Sequence, residues 1–171
     1  MRDRFDEQLM LLNKKMTEMG ALCEEVIALS AKALEECDPA LAERVAPRDS
    51  EIDSMERDIE TLCLRLLLQQ QPVARDLRQI SAALKMIADM ERIGDQAADI
   101  ADIVPHLSAP PDGRCGPIRE MARAVIRMVT ESVDAYVRRD TALAEAVIRQ
   151  DDGVDDYFDR VRHALTALIA Q

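Results

Sequence analysis

The sequence has no tryptophan, and its 171 residues include only four other aromatics, Phe5, Tyr136, Tyr157 and Phe158. Too few rings are present to stack the bases of a nucleic acid. Five glycines and seven prolines are too little turn material for a many-stranded sheet. Basic residues are the minority, 22 against 33 acidic ones, which gives a net charge of −11. That balance argues against partners held through clustered Lys and Arg, namely nucleic acids and anionic lipid surfaces. No long apolar run exists: Leu62 to Leu68 is short and carries Arg65, so no insertion into a membrane is expected. The opening Arg2-Asp3-Arg4-Phe5-Asp6 leads into mixed sequence rather than the apolar stretch of a secretory signal. Cys23, Cys37, Cys63 and Cys115 form no CxxC pair and have no histidine at metal spacing. They are expected to be reduced, with Cys23 and Cys63 as small core residues, and the chain to be cytoplasmic.

Hydrophobic residues make up 48% and charged residues 32%, a composition that folds. Apolar positions recur with the period of an α-helix almost throughout, so the expected class is all-α with five long helices. The first spans about Arg4 to Cys37. Asp38-Pro39 reads as an N-cap followed by proline at the first helical position, and the second helix continues to about Leu68, bent near Pro47. After Gln69-Gln70-Gln71-Pro72, a third helix runs from about Val73 to Val104 and is stopped by Pro105. The fourth covers about Ile118 to Arg139, and the fifth starts after the cap Asp140.

Sliding the sequence by 102 residues lays Met16–Gln69 over Ile118–Gln171 without a gap. Asp38 then matches Asp140, Asp49 matches Asp151 and Asp53 matches Asp155. Ala40-Leu41-Ala42-Glu43 recurs as Ala142-Leu143-Ala144-Glu145. Matched caps and a matched Asp-x-x-x-Asp indicate two three-helix units: residues 1–108, a linker at 109–117, and residues 118–171, where the second unit is reduced to two helices.

Chemistry concentrates in two acidic ladders. The third helix carries Glu91, Asp95, Asp99 and Asp102, and the second carries Asp49, Asp53, Glu56 and Glu60, all at spacings of three or four that share one helical face. Like charges at such spacings repel unless solvent, a cation or a partner neutralises them. If the turn centres on residue 71, antiparallel packing sets Asp53 level with residue 89 and Asp49 level with residue 93. Four carboxylates then converge near Glu91 and Asp95. Oxygen ligands without nearby Cys or His suit a hard cation, though a purely solvated acidic face has the same sequence signature. Met86, Ile87, Met90 and Ile93 read as core stripe, and His106 and His163 as ordinary histidines. The absence of a Glu-x-x-His pair speaks against a di-iron oxidase, and no nucleotide loop, nucleophile elbow or HExxH occurs. No catalytic residue and no organic-cofactor site are expected.

The run Gln71-Pro72-Val73-Ala74-Arg75-Asp76-Leu77-Arg78-Gln79-Ile80, followed by Ala83-Leu84-Lys85 and by Asp89-Met90-Glu91-Arg92-Ile93-Gly94-Asp95, closely resembles the PhoU family of phosphate-uptake regulators. The likeness extends over essentially the whole sequence and includes the repeat. It implies tandem three-helix bundles whose Glu/Asp-x-x-x-Asp motifs bind iron or another divalent metal (Mn, Mg or Zn). By position, the implied ligands are Asp49, Asp53, Glu91 and Asp95, with Asp151 and Asp155 as the second-repeat counterparts. The family's last helix, with its second ERxxDH-like motif, has no counterpart here, so Asp151 and Asp155 lack a partner helix. The resemblance further implies a non-enzymatic negative regulator of the phosphate-starvation response. Its expected partners are the ATPase subunit of the phosphate ABC transporter and the phosphate sensor histidine kinase, the former drawing it to the inner membrane. Two alternatives stay open on the residues alone: a helical interaction module that binds no metal, and a metal-dependent hydrolase. Arg75, Arg78, Lys85 and Arg92 are expected either to face a partner or to pair with carboxylates of their own helix. Apolar residues of the last two helices, among them Val125, Val129, Val147, Ile148 and Leu165, predict self-association as a homodimer.

Overall fold

The computed structural model describes residues 2–70, 72–107 and 116–170. The 109–117 linker falls largely outside these residues, as does Cys115. Helices α1 (Arg2–Glu36), α2 (Pro39–Ala42), α3 (Val45–Gln70), α4 (Ala74–Ile103), α5 (Gly116–Arg138) and α6 (Thr141–Ile169) make up the architecture, with a 3-10 turn at Val104–His106. There is no strand among the described residues.

The expected second helix is divided. Its break lies at Glu43–Arg44 rather than at Pro47, leaving the single turn α2 before α3 begins at Val45. Pro47 occupies the first turn of α3, where the backbone N–H it lacks would have no intrahelical acceptor, so it bends nothing. Asp38 caps α2 by accepting from the amides of Ala40 (2.8 Å) and Leu41 (3.3 Å). At the matched position Asp140 accepts from the Leu143 amide at 2.9 Å. The preceding residues match as well: Cys37 and Arg139, 102 positions apart, are the two non-glycine residues with positive φ among the described residues, at 49° and 56°. Each lies just past a helix, and the amide beyond it closes back onto the last turn, Asp38 to the Ala33 carbonyl and Asp140 to the Ala135 carbonyl. The repeat seen in the sequence thus extends to backbone conformation.

α1 is the central helix, packing on α3, α4 and α5. Its buried residues Leu9, Leu12, Met16, Met19, Cys23, Val26, Ser30 and Ala33 alternate spacings of three and four. The α4 face does the same through Ile80, Ala83, Ile87, Met90, Gly94, Ala97 and Ala101. A seven-residue apolar repeat of this kind favours the shallow crossing of bundled helices. Together with Ile52, Ile59, Cys63 and Leu66 of α3 these faces form one core. Cys23 and Cys63 are fully buried in it, and burial pushes their thiols up, to about 12 and about 11. α5 runs antiparallel to α1, with Gly20 at the point of close approach: a Cβ there would lie 3.0 Å from the Val133 side chain. α6 packs chiefly on α5 and contributes little to the core, with Val147 its one fully buried apolar side chain among those described.

Candidate metal centre

The α3–α4 hairpin brings the two acidic ladders together close to the expected register. Asp49 meets residues 94 and 95 rather than 93, one to two residues farther from the turn. Asp49 and Asp53, one turn apart on α3, and Asp95 on α4 each offer a carboxylate oxygen within 4.8 Å of the others. Asp49 and Asp53 are half-buried and Asp95 is exposed, so the site lies on the surface with its floor inside the helix pair. One oxygen each of Asp49 and Asp53 is cut off from solvent and has no hydrogen-bond partner. A buried, unpaired carboxylate oxygen is costly to keep unless something binds it.

Glu91, the fourth expected ligand, lies one turn before Asp95 but outside this group of three, close enough for their charges to act on it. Burial comes first in raising its carboxyl above the ordinary range, followed by Asp95, Glu56, Asp53 and Asp49. The Asp49 carboxyl is raised by burial, then by Asp53, Asp95 and Asp99. The neighbouring cations are engaged elsewhere. Arg48 reaches Glu25 (2.9 Å) and Glu51 (2.7 Å), while Arg92 turns to Asp89 at 3.5 Å. Among the described residues none of these four carboxylates has an ion-pair partner. The donors present are therefore all hard oxygens, negatively charged, mutually repelling and partly unsolvated. Such a set fits a divalent or trivalent cation, whose charge would reverse the repulsion and satisfy the orphaned oxygens.

Gly94 completes the floor. It lies in the interior of α4, where glycine costs about 1 kcal/mol relative to alanine. A Cβ at this position would come well under 3.0 Å from Asp49 Oδ1 and 3.3 Å from Ile52 Cδ1. The bare backbone leaves room for the carboxylate. Reading the acidic ladders alone passes over Gly94. A glycine inside a helix, directly before a predicted ligand, is the signal that marks it.

The remaining candidates are placed differently. Glu60 and Asp102 are exposed and take no part in the cluster, and Asp99 acts on it only through its charge. Asp151 and Asp155 are exposed on α6, and no third ligand joins them among the described residues. Of the four α4 cations, only Arg92 pairs within its helix. Arg75, Arg78 and Lys85 form no ion pair among the described residues.

Residues 16–104 and 118–171 match the PhoU domain family, the two stretches covering most of both repeats. The chain is 35% identical over 172 residues to a phosphate-specific transport system accessory protein PhoU homolog of Clostridium acetobutylicum, spanning 99% of this chain and 78% of that one. The homolog of Pseudomonas aeruginosa is 34% identical over 169 residues, covering 97% and 70%. The crystal structure of PhoU from Pseudomonas aeruginosa superposes with a TM-score of 0.88 at 32% identity, over 97% of this chain and 80% of that one. A phosphate transport system regulatory protein PhoU from Streptococcus pneumoniae gives 0.86 at 25% identity, over 97% and 79%. With its sequence, its repeat and its helical bundle all matched, this chain belongs to the PhoU family.

Proposed function

We propose that this chain is a regulatory accessory of phosphate transport, a metal-loaded adaptor rather than an enzyme. Its relatives carry the name phosphate-specific transport system accessory protein, which supports the phosphate pathway. In this reading it restrains phosphate uptake and the phosphate-starvation response by contacting the transporter ATPase subunit and the sensor histidine kinase. It works at the cytoplasmic side of the inner membrane, to which it is recruited through the transporter. No helix among the described residues is long and apolar enough to cross a membrane, in keeping with recruitment by a partner.

One observation carries the metal reading: three carboxylates within 4.8 Å, two of them with a buried oxygen that has no partner. Asp49, Asp53, Glu91 and Asp95 would hold the ion, whether Fe, Mn, Mg or Zn. Its charge would tie α3 to α4 at one level and stiffen the surface a partner meets. The test is elemental analysis of the purified chain after metal loading and desalting, beside Asp49→Ala with Asp95→Ala. Stoichiometric metal in the parent and loss in the variant is the expected result. Equal metal in both removes the site. A variant without metal that still silences a phosphate-starvation reporter would favour the metal-independent interaction module instead.

A further inference from the structure

The α3–α4 hairpin ends in an apolar surface open to solvent. Leu64 and Leu68, one turn apart near the end of α3, are 48% and 84% exposed. Val73 and Leu77, where α4 begins, are 61% and 47% exposed. Arg65, Arg75 and Arg78 stand beside them, exposed and without an ion-pair partner among the described residues. Exposed aliphatic side chains gathered at one end of a molecule mark a surface that something else covers.

The net charge of −11 speaks against an anionic partner for the molecule as a whole, but the charge is unevenly spread. From Thr61 to Ala88 there are four basic residues, Arg65, Arg75, Arg78 and Lys85, against the single acid Asp76, a net charge of +3. Glu60 lies eight residues before Leu68, and Asp89 twelve residues after Leu77. Those spans are about 12 and 18 Å along a helix, beyond the Debye length of about 8 Å in physiological salt. The hydrogen bond from Gln79 to Asn13 sets the first turns of α1 at the same end, where Arg4 offsets one of the two acids Asp6 and Glu7.

We propose that this end of the molecule rests directly on an anionic lipid bilayer, its leucines and valine at the acyl boundary and its arginines against lipid phosphates. Aliphatic side chains interleaved with unpaired cations are the pattern of a surface that lies in the membrane interface. Arginine suits the boundary, because its stem can stay among apolar groups while the guanidinium reaches the headgroups. The end of a helical hairpin is convex: a protein partner would need a matching hollow, whereas a bilayer yields to it. The uneven charge also sets the orientation, turning the acidic remainder of the chain away from the anionic surface. Asp53 lies fifteen residues before Leu68, about 22 Å along α3, so the carboxylate group stays clear of the headgroups. No helix among the described residues crosses a membrane, and this contact needs none that does. It requires neither the transporter nor a metal ion, so it can fail while the proposed function stands.

Protein-free vesicles test it. The 171-residue chain should sediment with vesicles of phosphatidylcholine containing about one-third phosphatidylglycerol, and much less with phosphatidylcholine alone or in high salt. Arg65→Glu with Arg75→Glu, and separately Leu64→Ser with Leu68→Ser, should each weaken binding by about tenfold or more. All four positions are exposed, and unchanged circular dichroism confirms that the variants fold. The chain has no tryptophan, so Leu68→Trp provides a single reporter. Its emission should shift to the blue and resist acrylamide quenching on the anionic vesicles. Ile103→Trp, at an exposed position at the far end of α4, should do neither. A chain that binds neither kind of vesicle overturns the proposal and leaves this end to a protein partner. Binding that either pair of substitutions leaves intact, or that shifts both reporters alike, would equally overturn it, since another face would then meet the lipid.

Discussion

A side chain on residue 94 would occupy the space now filled by the Asp49 carboxylate, because Asp49 Oδ1 rests against the bare backbone of Gly94. The acid that leads the cluster is thus seated by a residue that contributes no ligand atom. Alanine at 94 would improve helix propensity by about 1 kcal/mol. The clash is with the far end of a side chain, which can rotate away, so the fold should tolerate the change. Asp49 would then leave the cluster. Gly94→Ala is therefore expected to keep its melting temperature within a few degrees of the parent while losing about tenfold or more in metal affinity, as displaced support of a ligand does elsewhere. Isothermal titration with Mn²⁺ and thermal melting of the same sample check both halves. Unaltered affinity would show that Asp49 does not bind.

The pH dependence has opposite signs without and with metal. Asp49 and Glu91 have raised carboxyls, so the folded apo chain holds their protons more tightly than the unfolded chain does. Their contribution to stability is therefore full below the ordinary carboxylate pKa and is lost as pH rises through the raised folded values. Asp49→Asn removes that loss while keeping the shape of the side chain. In EDTA at pH 7 it should be more stable than the parent by about 0.5 kcal/mol, an advantage that vanishes towards about pH 4. Metal reverses the order, since the ion needs ionised ligands: stabilisation by added Mn²⁺ should be greatest at neutral pH, fade in acid, and be absent from Asp49→Asn. Urea titrations across pH with and without metal measure all of this.

How far the sequence announces this site differs from residue to residue. The grouping of Asp49, Asp53 and Asp95 is legible because helix periodicity and antiparallel register are arithmetic, whereas Glu91, which the same arithmetic includes, stays outside that group. The helices and the repeat are legible for the same reason, down to the caps Asp38 and Asp140. The break at Glu43–Arg44 is not, because nothing in Leu-Ala-Glu-Arg-Val is a helix breaker and the nearby Pro47 attracts the expectation to itself. Nor does local pattern say that α5 lies on α1 while α6 hangs on α5. Val125, Val129 and Val147 are all apolar positions of similar pattern. Only the packing determines that Val147 is buried and its neighbour Ile148 exposed.

The left-handed residues give a stability prediction. Cys37, at φ 49°, adopts a conformation that costs a side-chain-bearing residue about 1 kcal/mol and glycine almost nothing. Cys37→Gly should stabilise the chain by up to about 0.5 kcal/mol, the relief of strain set against the greater freedom of glycine when unfolded. Arg139, at φ 56°, has the same strain, but its guanidinium donates to Gln79 Oε1. Arg139→Gly gains at the backbone and loses that bond, so it should gain less than Cys37→Gly. Chemical denaturation of the two variants side by side checks the ordering.

Gln79 ties three helices at one point. Its side chain is 7% exposed, donates to Asn13 Oδ1 of α1 at 2.8 Å and accepts from Arg139 beyond α5. Its carbonyl also accepts from the Tyr136 hydroxyl at 3.3 Å, and burial pushes that hydroxyl up to about 12, so it remains a donor at every physiological pH. Because α6 packs chiefly on α5, this node and the α1–α5 contact together hold the α5–α6 hairpin to the first bundle. Gln79→Leu keeps the volume but leaves Asn13 and Arg139 without their partner. An unsatisfied, partly buried polar group costs about 1–3 kcal/mol, less where water can reach it, as it can Arg139. A loss of about 1–2 kcal/mol is expected, and its location matters more than its size. Hydrogen exchange should quicken in α5 and α6 while the amides of α1, α3 and α4 keep their protection, because the core of the first bundle is untouched. Uniform acceleration through all the helices would mean that the hairpin and the bundle unfold as one unit.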